Sequence, residues 1–316
     1  MTESKLLLTP PPHLKQGDAI MHAMRDVILA LIPVTAVAFY FYGLNAVAIW
    51  VLCVGGAILT ELVVRPLLGK KPEIGNLSSV VTGWLLALCF SATTAWWTAV
   101  LGAVLAVGVA KELMGGLGWN WFNPALFGRI VPVVFYPLFG WLGTALGSAR
   151  ISFAMPDVIS QATPLAMLKG YGMAGAPSLT EMLTFYPAGG ALAEISAGAV
   201  ILGGLFLIVR KHISWRIPAA MIATVLVLSA VLGAPPVHHV LAGGLLLAAF
   251  FMATDWVTAP VTPNGRLLYG VAIGVLVVLF RLYGGSPEGV GYSVLLMNPA
   301  ARWIDRMTRP KVFGQA

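Results

Sequence analysis

Long apolar segments, each interrupted once near its middle, dominate the chain. Residues 27–60, 74–110 and 217–254 contain no Asp, Glu, Lys or Arg. A helix that crosses about 30 Å of hydrocarbon at about 1.5 Å per residue needs roughly 20 residues, so each segment is long enough for two crossings. The interruptions fall at 43–45 (Gly-Leu-Asn), 91–94 (Ser-Ala-Thr-Thr) and 233–239 (Gly-Ala-Pro-Pro-Val-His-His). We therefore predict a helical hairpin in each segment.

The same pattern predicts ten membrane spans along the whole chain. They lie near residues 26–42, 45–64, 77–92, 95–114, 121–141, 190–209, 217–233, 238–254, 267–283 and 287–303. Five spans precede and five follow a long connection, residues 142–189. An odd number in each group inserts the second group upside down relative to the first. We predict an all-α integral membrane protein of two inverted five-helix repeats, residues 26–141 and 190–303.

A short sequence match supports the repeats. Asn123-Pro124-Ala125 and Asn298-Pro299-Ala300 occupy equivalent places in the fifth and tenth predicted spans. Proline frees a backbone carbonyl, so such positions form either a broken helix whose end faces a ligand or a tolerated kink. The sequence leaves both interpretations open.

Composition and charge agree with a membrane location and fix the orientation. The chain is 59% hydrophobic and 10% charged, with a net charge of +7. With the N-terminus in the cytoplasm, all but four of the 19 basic residues fall on the cytoplasmic side; the exceptions are Arg129, Arg150, Lys169 and Arg281. The positive-inside rule favours this orientation. Residues 1–25 and 304–316 are then cytoplasmic, residues 142–189 lie outside, and the basic excess reflects topology rather than nucleic-acid binding.

Several ionisable residues fall in or at the ends of predicted spans. Glu61, Glu112 and Asp255 are such residues, and an acid in this place often marks an ion or proton path. An interfacial location, and Lys111 beside Glu112, supply the structural alternative. The two cysteines, Cys53 and Cys89, form no Cys-x-x-Cys or Cys/His cluster, so we predict no metal site.

Ordered sequence matches along almost the whole chain resemble the RnfD/NqrB family of redox-driven ion pumps, most closely its RnfD branch. The matching segments are residues 81–88, 111–118, 120–125, 253–260, 262–266, 288–290 and 295–299. The outer connection adds Asp157-x-x-Ser160-x-Ala162-Thr163, which resembles a flavinylation motif.

The resemblance implies that a transferase attaches FMN to Thr163 through a phosphoester, with Asp157, Ser160 and Ala162 completing the motif. The alternative for Thr163 is a threonine that caps a helix. The resemblance also implies a urea-channel-like architecture and a riboflavin in the helical core. Arg129, a cation within the fifth span, is expected to meet a flavin phosphate or to serve as the partner of a helix C-terminus.

The family's function gives the remaining expectations. The chain would be one subunit of a translocase in the bacterial inner membrane that couples electron flow between ferredoxin and NAD to transport of Na⁺ or H⁺. Its partners would be other membrane and peripheral subunits, including a second flavin-carrying subunit, together with the flavin transferase. The chain has no Rossmann glycine fingerprint and no iron–sulfur cysteines, so it holds no complete active site alone. The alternatives are a solute channel or transporter and a scaffold whose Thr163 is unmodified.

Overall fold

The computed structural model describes residues 17–135, 163–171, 177–186, 190–284 and 289–309, and these residues form helices and connections without a strand. Three helices are long and apolar enough to cross a membrane: Ile20–Leu67, Trp96–Leu113 and Pro263–Tyr283. Several apolar helices of 10–17 residues accompany them. The prediction of an all-α membrane protein agrees with this architecture.

Twelve α-helices follow one another along the described residues. They are α1 (Gly17–Leu67), α2 (Ser78–Cys89), α3 (Trp96–Ala103), α4 (Pro124–Val134), α5 (Pro164–Tyr171), α6 (Leu179–Leu183), α7 (Ala197–Val209), α8 (Arg216–Val231), α9 (Pro236–Leu241), α10 (Leu245–Leu247), α11 (Pro263–Tyr283) and α12 (Val290–Thr308). Two π-helical segments, Val104–Leu113 and Ala248–Met252, continue α3 and α10. Ile74–Asn76 and Leu192–Ile195 are 3₁₀-helical.

The predicted interruptions of the first two apolar segments agree with the observed breaks. Helix α1 consists of two helical segments joined at Gly43, whose φ of 57° and ψ of −142° are not helical. Glycine adopts a positive φ without the steric cost that a Cβ imposes. The helix α2 ends at Cys89, and the chain becomes helical again at Trp96.

Helix α2 is too short to cross the hydrocarbon, and its end is capped by other parts of the chain. Its 12 residues span roughly 18 Å. Arg129 of α4 donates a hydrogen bond from Nε to the Cys89 carbonyl at 2.5 Å. The backbone N–H of Leu192 donates to the Phe90 carbonyl at 2.8 Å. These bonds satisfy backbone carbonyls that the helix leaves without partners at its C-terminus.

The predicted span at residues 238–254 is not one continuous helix. Helix α9 ends at Leu241, and Gly243 and Gly244 both adopt a φ of 67° before α10 begins. Arg281 of α11 closes this break: it donates to the His239 carbonyl, to the Ala242 carbonyl at 2.9 Å and to the Gly243 carbonyl at 3.4 Å. A Cβ at Gly243 would collide with Arg281 and Leu165, so glycine is required there.

The two Asn-Pro-Ala segments meet in the protein interior. The Asn123 backbone N–H donates to Asn298 Oδ1 at 2.9 Å, and Asn298 Nδ2 donates to the Tyr269 hydroxyl at 2.9 Å. Asn123 also caps α4, because its Oδ1 accepts from the Leu126 N–H at 3.2 Å. Pro124 is thus the first residue of α4, whereas Pro299 lies inside α12.

Replacing Asn298 by alanine should destabilise the fold. Asn298→Ala removes the acceptor of the Asn123 N–H and the donor to Tyr269, and each buried polar group left without a partner costs about 1–3 kcal/mol. We expect a lower midpoint of thermal unfolding in detergent. Asn264→Ala, on the exposed first turn of α11, is the matched control. Equal midpoints for the two variants would contradict the assignment.

Candidate functional site

A cavity of about 300 Å³, here called the large cavity, lies among α1, α2, α4 and the second π-helical segment. Most of its lining is apolar, from residues such as Met24, Val27, Leu85, Phe250 and Phe251. Its polar lining side chains are Ser78, Thr82, Lys111, Asn120, Asn123, His212, Thr254 and Asp255, with Trp256 supplying an indole N–H. An apolar cavity with a few polar groups is typical of a small-molecule site.

Lys111 joins the large cavity to a buried ion pair. Lys111 lies in the first π-helical segment and is 2% exposed. Its Nζ lies 3.0 Å from Glu61 Oε2 and donates to the hydroxyls of Ser78 at 2.7 Å and Ser79 at 2.8 Å. The Ser79 hydroxyl also donates to Glu61. Because Glu61 is fully buried, these donors replace the water that its carboxylate loses.

Arg65 extends this pair into a network of five charged side chains, Glu61, Arg65, Glu73, Lys111 and Glu112. Arg65 NH2 lies 3.0 Å from Glu73 Oε1, and Arg65 Nε lies 3.8 Å from Glu112 Oε2. Lys111 Nζ lies 3.6 Å from the other oxygen of Glu112. The structure therefore brings two of the predicted acids, Glu61 and Glu112, into one network.

Asp255, the third predicted acid, lies apart from this network but lines the same large cavity as Lys111. Its carboxylate accepts hydrogen bonds from the Val257 N–H at 3.4 Å and the Thr258 hydroxyl at 3.1 Å. The large cavity thus has a buried lysine and a carboxylate along its wall. Whether these groups carry ions stays a prediction.

Thr163 begins α5, and its side chain is half-buried. Its Oγ1 accepts a hydrogen bond from the Ala166 N–H at 3.3 Å, and its carbonyl accepts from the Met167 N–H at 2.9 Å. The structural alternative raised for Thr163, a helix cap, is therefore present. It does not exclude modification, because the cap uses a lone pair of Oγ1 and leaves the hydroxyl proton out of the bond.

Helix α5 is held against the breaks in the longer helices. Leu165 packs with Met182 of α6 and Ala242 at the α9 break. Lys169 donates from Nζ to the carbonyl of Gly284, at the end of α11, at 2.9 Å. Thr163 therefore stands at a fixed place beside the broken helices.

Helix α6, which supports α5, begins with a capping box. The Ser178 N–H donates to Glu181 Oε2 at 2.9 Å, and the Glu181 N–H donates to the Ser178 hydroxyl at 3.3 Å. The bond from the Ser178 backbone holds the pKa of the Glu181 carboxyl below its ordinary value. Reciprocal caps of this kind fix the start of a short helix.

Glu194 is the acidic residue that the sequence interpretation missed. It lies in the buried 3₁₀ segment Leu192–Ile195, and a Cβ at Gly190 would lie 2.7 Å from Glu194 Oε2 and 3.4 Å from Thr163 Cγ2. Glu194 and Arg129 line a small cavity of about 60 Å³, together with Cys89, Gly243 and Gly244. Glu194 falls within the predicted span 190–209, so the criterion that selected Glu61 would also have selected it.

The rest of the predicted flavinylation motif, Asp157, Ser160 and Ala162, lies outside the described residues. Arg129 lies on the small cavity near Thr163, while its Nε caps α2. Its expected role as partner of a helix C-terminus is therefore observed, and contact with a flavin phosphate stays a prediction. Within the described part of the chain, no group of three or more His, Cys, Asp or Glu side chains is arranged to hold a metal ion.

Comparison with known proteins decides the family. The sequence model of the NQR2, RnfD, RnfE family matches residues 7–314. The chain belongs to this family. The resemblance noted from the sequence segments is thereby confirmed over nearly the whole chain.

Relatives in the NQR2, RnfD, RnfE family include subunits of ion-translocating complexes, and three of them carry the letter D in their complexes. The chain is 39% identical over 315 residues to this subunit of the Na(+)-translocating ferredoxin:NAD(+) oxidoreductase complex of Acetobacterium woodii, covering 99% of this chain and 97% of the relative. It is 36% identical over 321 residues to its counterpart in the proton-translocating ferredoxin:NAD(+) oxidoreductase complex of Clostridium ljungdahlii, covering 97% and 96%. The counterpart in the ion-translocating oxidoreductase complex of Stutzerimonas stutzeri is 38% identical over 329 residues, covering 94% and 93%. Family membership and the apolar helices together make the chain a multi-pass membrane protein.

Removing Lys111 should expose the cost of the buried Glu61 carboxylate. Lys111→Met leaves Glu61 without its nearest cation, and breaking a buried pair by removing one partner costs about 3–5 kcal/mol. We expect a large drop in the thermal unfolding midpoint, partly reversed when Glu61→Gln is added. Glu73→Gln is the control, because the Glu73 side chain is 57% exposed. A double variant no more stable than Lys111→Met would rule out this pairing energy.

Proposed function

We propose that the chain is the flavin-carrying membrane subunit of a complex that couples electron flow between ferredoxin and NAD to transport of Na⁺ or H⁺. The names of the relatives support the complex, and the position of Thr163 at the N-terminus of α5 supports the flavin. The other membrane and peripheral subunits, among them a second flavin carrier, would bind NAD and ferredoxin. A flavin transferase would load Thr163.

The observation that carries the flavin proposal is the helix start at Thr163. A phosphoester on Oγ1 would place its negative charge at the positive end of the α5 dipole, near backbone N–H groups of the first turn. The Ala166 N–H already points at this oxygen. Bound FMN would supply one-electron transfer, since flavins link one- and two-electron donors. Arg129, on the nearby small cavity, is the cation proposed to meet the phosphate.

The proposed topology has ten spans in two inverted five-helix halves, as in a urea channel, with both termini in the cytoplasm. Two features support it. The predicted spans each overlap helices of the described residues, and the hydrogen bond between Asn123 and Asn298 links equivalent positions of the two halves. Thr163 then lies on the periplasmic side of the bacterial inner membrane, where its transferase must act.

The large cavity then opens toward the cytoplasmic side. Its volume of about 300 Å³ reaches the lower end of the range of ligand pockets, so it is the proposed place for the riboflavin that the family resemblance implies. The network of Glu61 and Glu112, joined to the cavity through Lys111, and Asp255 on the cavity wall are the proposed ion-path groups. They are ionisable side chains buried in a membrane protein, where such groups are costly unless they function.

Covalent flavin should depend on Thr163 alone among the nearby threonines. We expect Thr163→Ala, co-expressed with an active flavin transferase, to lose in-gel flavin fluorescence and the corresponding intact-mass increment. Thr180→Ala, an exposed threonine of α6, should keep both signals. Parent protein without flavin under these conditions would reject the flavin carrier and favour a scaffold or a solute channel.

Loading of Thr163 should also depend on Gly190. A methyl at residue 190 would press on the Glu194 carboxylate and approach the Thr163 methyl, so Gly190→Ala should displace Thr163 and reduce FMN incorporation several-fold. Gly170→Ala is the matched control, since nothing lies within 4 Å of a Cβ at that position. Flavin fluorescence per mole of membrane-inserted protein measures the difference. Equal loading in both variants would show that the Gly190 contact is irrelevant.

A further inference from the structure

A third cavity, here called the basic cavity, lies where the α7–α8 turn meets the start of α11. Its volume is about 480 Å³. Lys211, Arg266 and Ser214 supply polar groups, and Trp215, Trp256 and Ile217 supply much of its apolar wall. None of the described side chains that line it is acidic. Cations without a lining carboxylate favour an anionic ligand.

The backbone fixes both cations at the mouth of the basic cavity. Lys211 adopts a φ of 61°, which is uncommon for a residue other than glycine, and its N–H donates to the Ile208 carbonyl at 2.9 Å. The Lys211 side chain is exposed. Arg266 is half-buried, and its Nε donates to the Pro260 carbonyl at 3.1 Å, which sets the plane of the guanidinium. A strained residue that holds a charge at a cavity is typical of a functional position.

The walls of the basic cavity change from aromatic to aliphatic. Trp215 and Trp256 are 56% and 55% exposed, and Trp256 Nε1 donates to the His212 carbonyl at 2.7 Å. Tryptophan in this setting favours the headgroup level of a bilayer. Ile208 near the end of α7 and Ile217 near the start of α8 line the cavity from the two apolar helices. Cations, indole rings and isoleucines therefore follow one another in the order that a phospholipid presents its own groups.

We propose that the basic cavity binds the phosphate headgroup of an anionic phospholipid in the cytoplasmic leaflet. Lys211 and Arg266 bind the phosphate, and the first carbons of the acyl chains pack on Ile208 and Ile217. The leaflet follows from the proposed orientation of the chain. Binding of the lipid is independent of the proposed flavin at Thr163, so either proposal can fail without the other.

The test is native mass spectrometry of the purified full chain, titrated with phosphatidylglycerol or phosphatidylcholine. The parent should bind phosphatidylglycerol more tightly than phosphatidylcholine. The double variant Lys211→Gln, Arg266→Gln should bind phosphatidylglycerol roughly 30-fold more weakly, from the contribution of two cations near an anionic surface. The control is Lys71→Gln, Arg309→Gln, which removes two exposed cations outside the cavity and should leave binding unchanged.

A second pair of variants separates charge from folding. Lys211→Arg and Arg266→Lys keep both charges, so they should retain phosphatidylglycerol binding. Equal affinity of the parent for the two lipids would overturn the proposal, as would equal loss of binding in the control. Displacement of phosphatidylglycerol by millimolar inorganic phosphate would also overturn it, because the site would then take free phosphate rather than lipid.

Discussion

The need to satisfy every backbone polar group without water determines the architecture around Thr163. Hydrocarbon offers no hydrogen-bond partner, so a helix that stops inside a membrane protein must find donors for its last carbonyls elsewhere in the chain. Arg129 serves α2 in this way, and Arg281 serves α9. A guanidinium suits the task, because it carries several donors and its charge opposes the negative end of the helix dipole.

These caps also bring distant segments together at Thr163. The segment that donates to Phe90 at the end of α2 continues to Glu194 and thereby places this carboxylate near Thr163. The break that Arg281 closes receives Leu165, two residues after Thr163. The proposed flavin carrier is therefore built on the broken helices rather than on a separate domain. A change in charge at Thr163 would act on the groups that hold these breaks together.

The sequence predicts those features that depend on local composition. Gly43 and residues 91–94 interrupt apolar runs, so both breaks are visible in the pattern. The break at Gly243 is not visible, because two glycines among alanines and leucines resemble an ordinary small-residue stretch, and the positive φ of both is set by the contacts of Arg281 and Leu165. Nor does the sequence reveal that Lys111 reaches Glu61, 50 residues earlier, because that pairing depends on how the helices pack. The role of Arg129 at a helix C-terminus is one of two alternatives that the sequence leaves open, and only the fold places it on Cys89.

The central claim is that the Thr163 side and the Lys211 side of the chain lie on opposite faces of the membrane. Single cysteines at two exposed positions test it: Thr180→Cys on α6 and Lys71→Cys beyond α1, with the parent as blank because Cys53 and Cys89 are buried. A membrane-impermeant maleimide is added to spheroplasts before and after permeabilisation. We expect Thr180→Cys to be labelled in intact spheroplasts and Lys71→Cys only after permeabilisation. Labelling of both from the same side would contradict the claim.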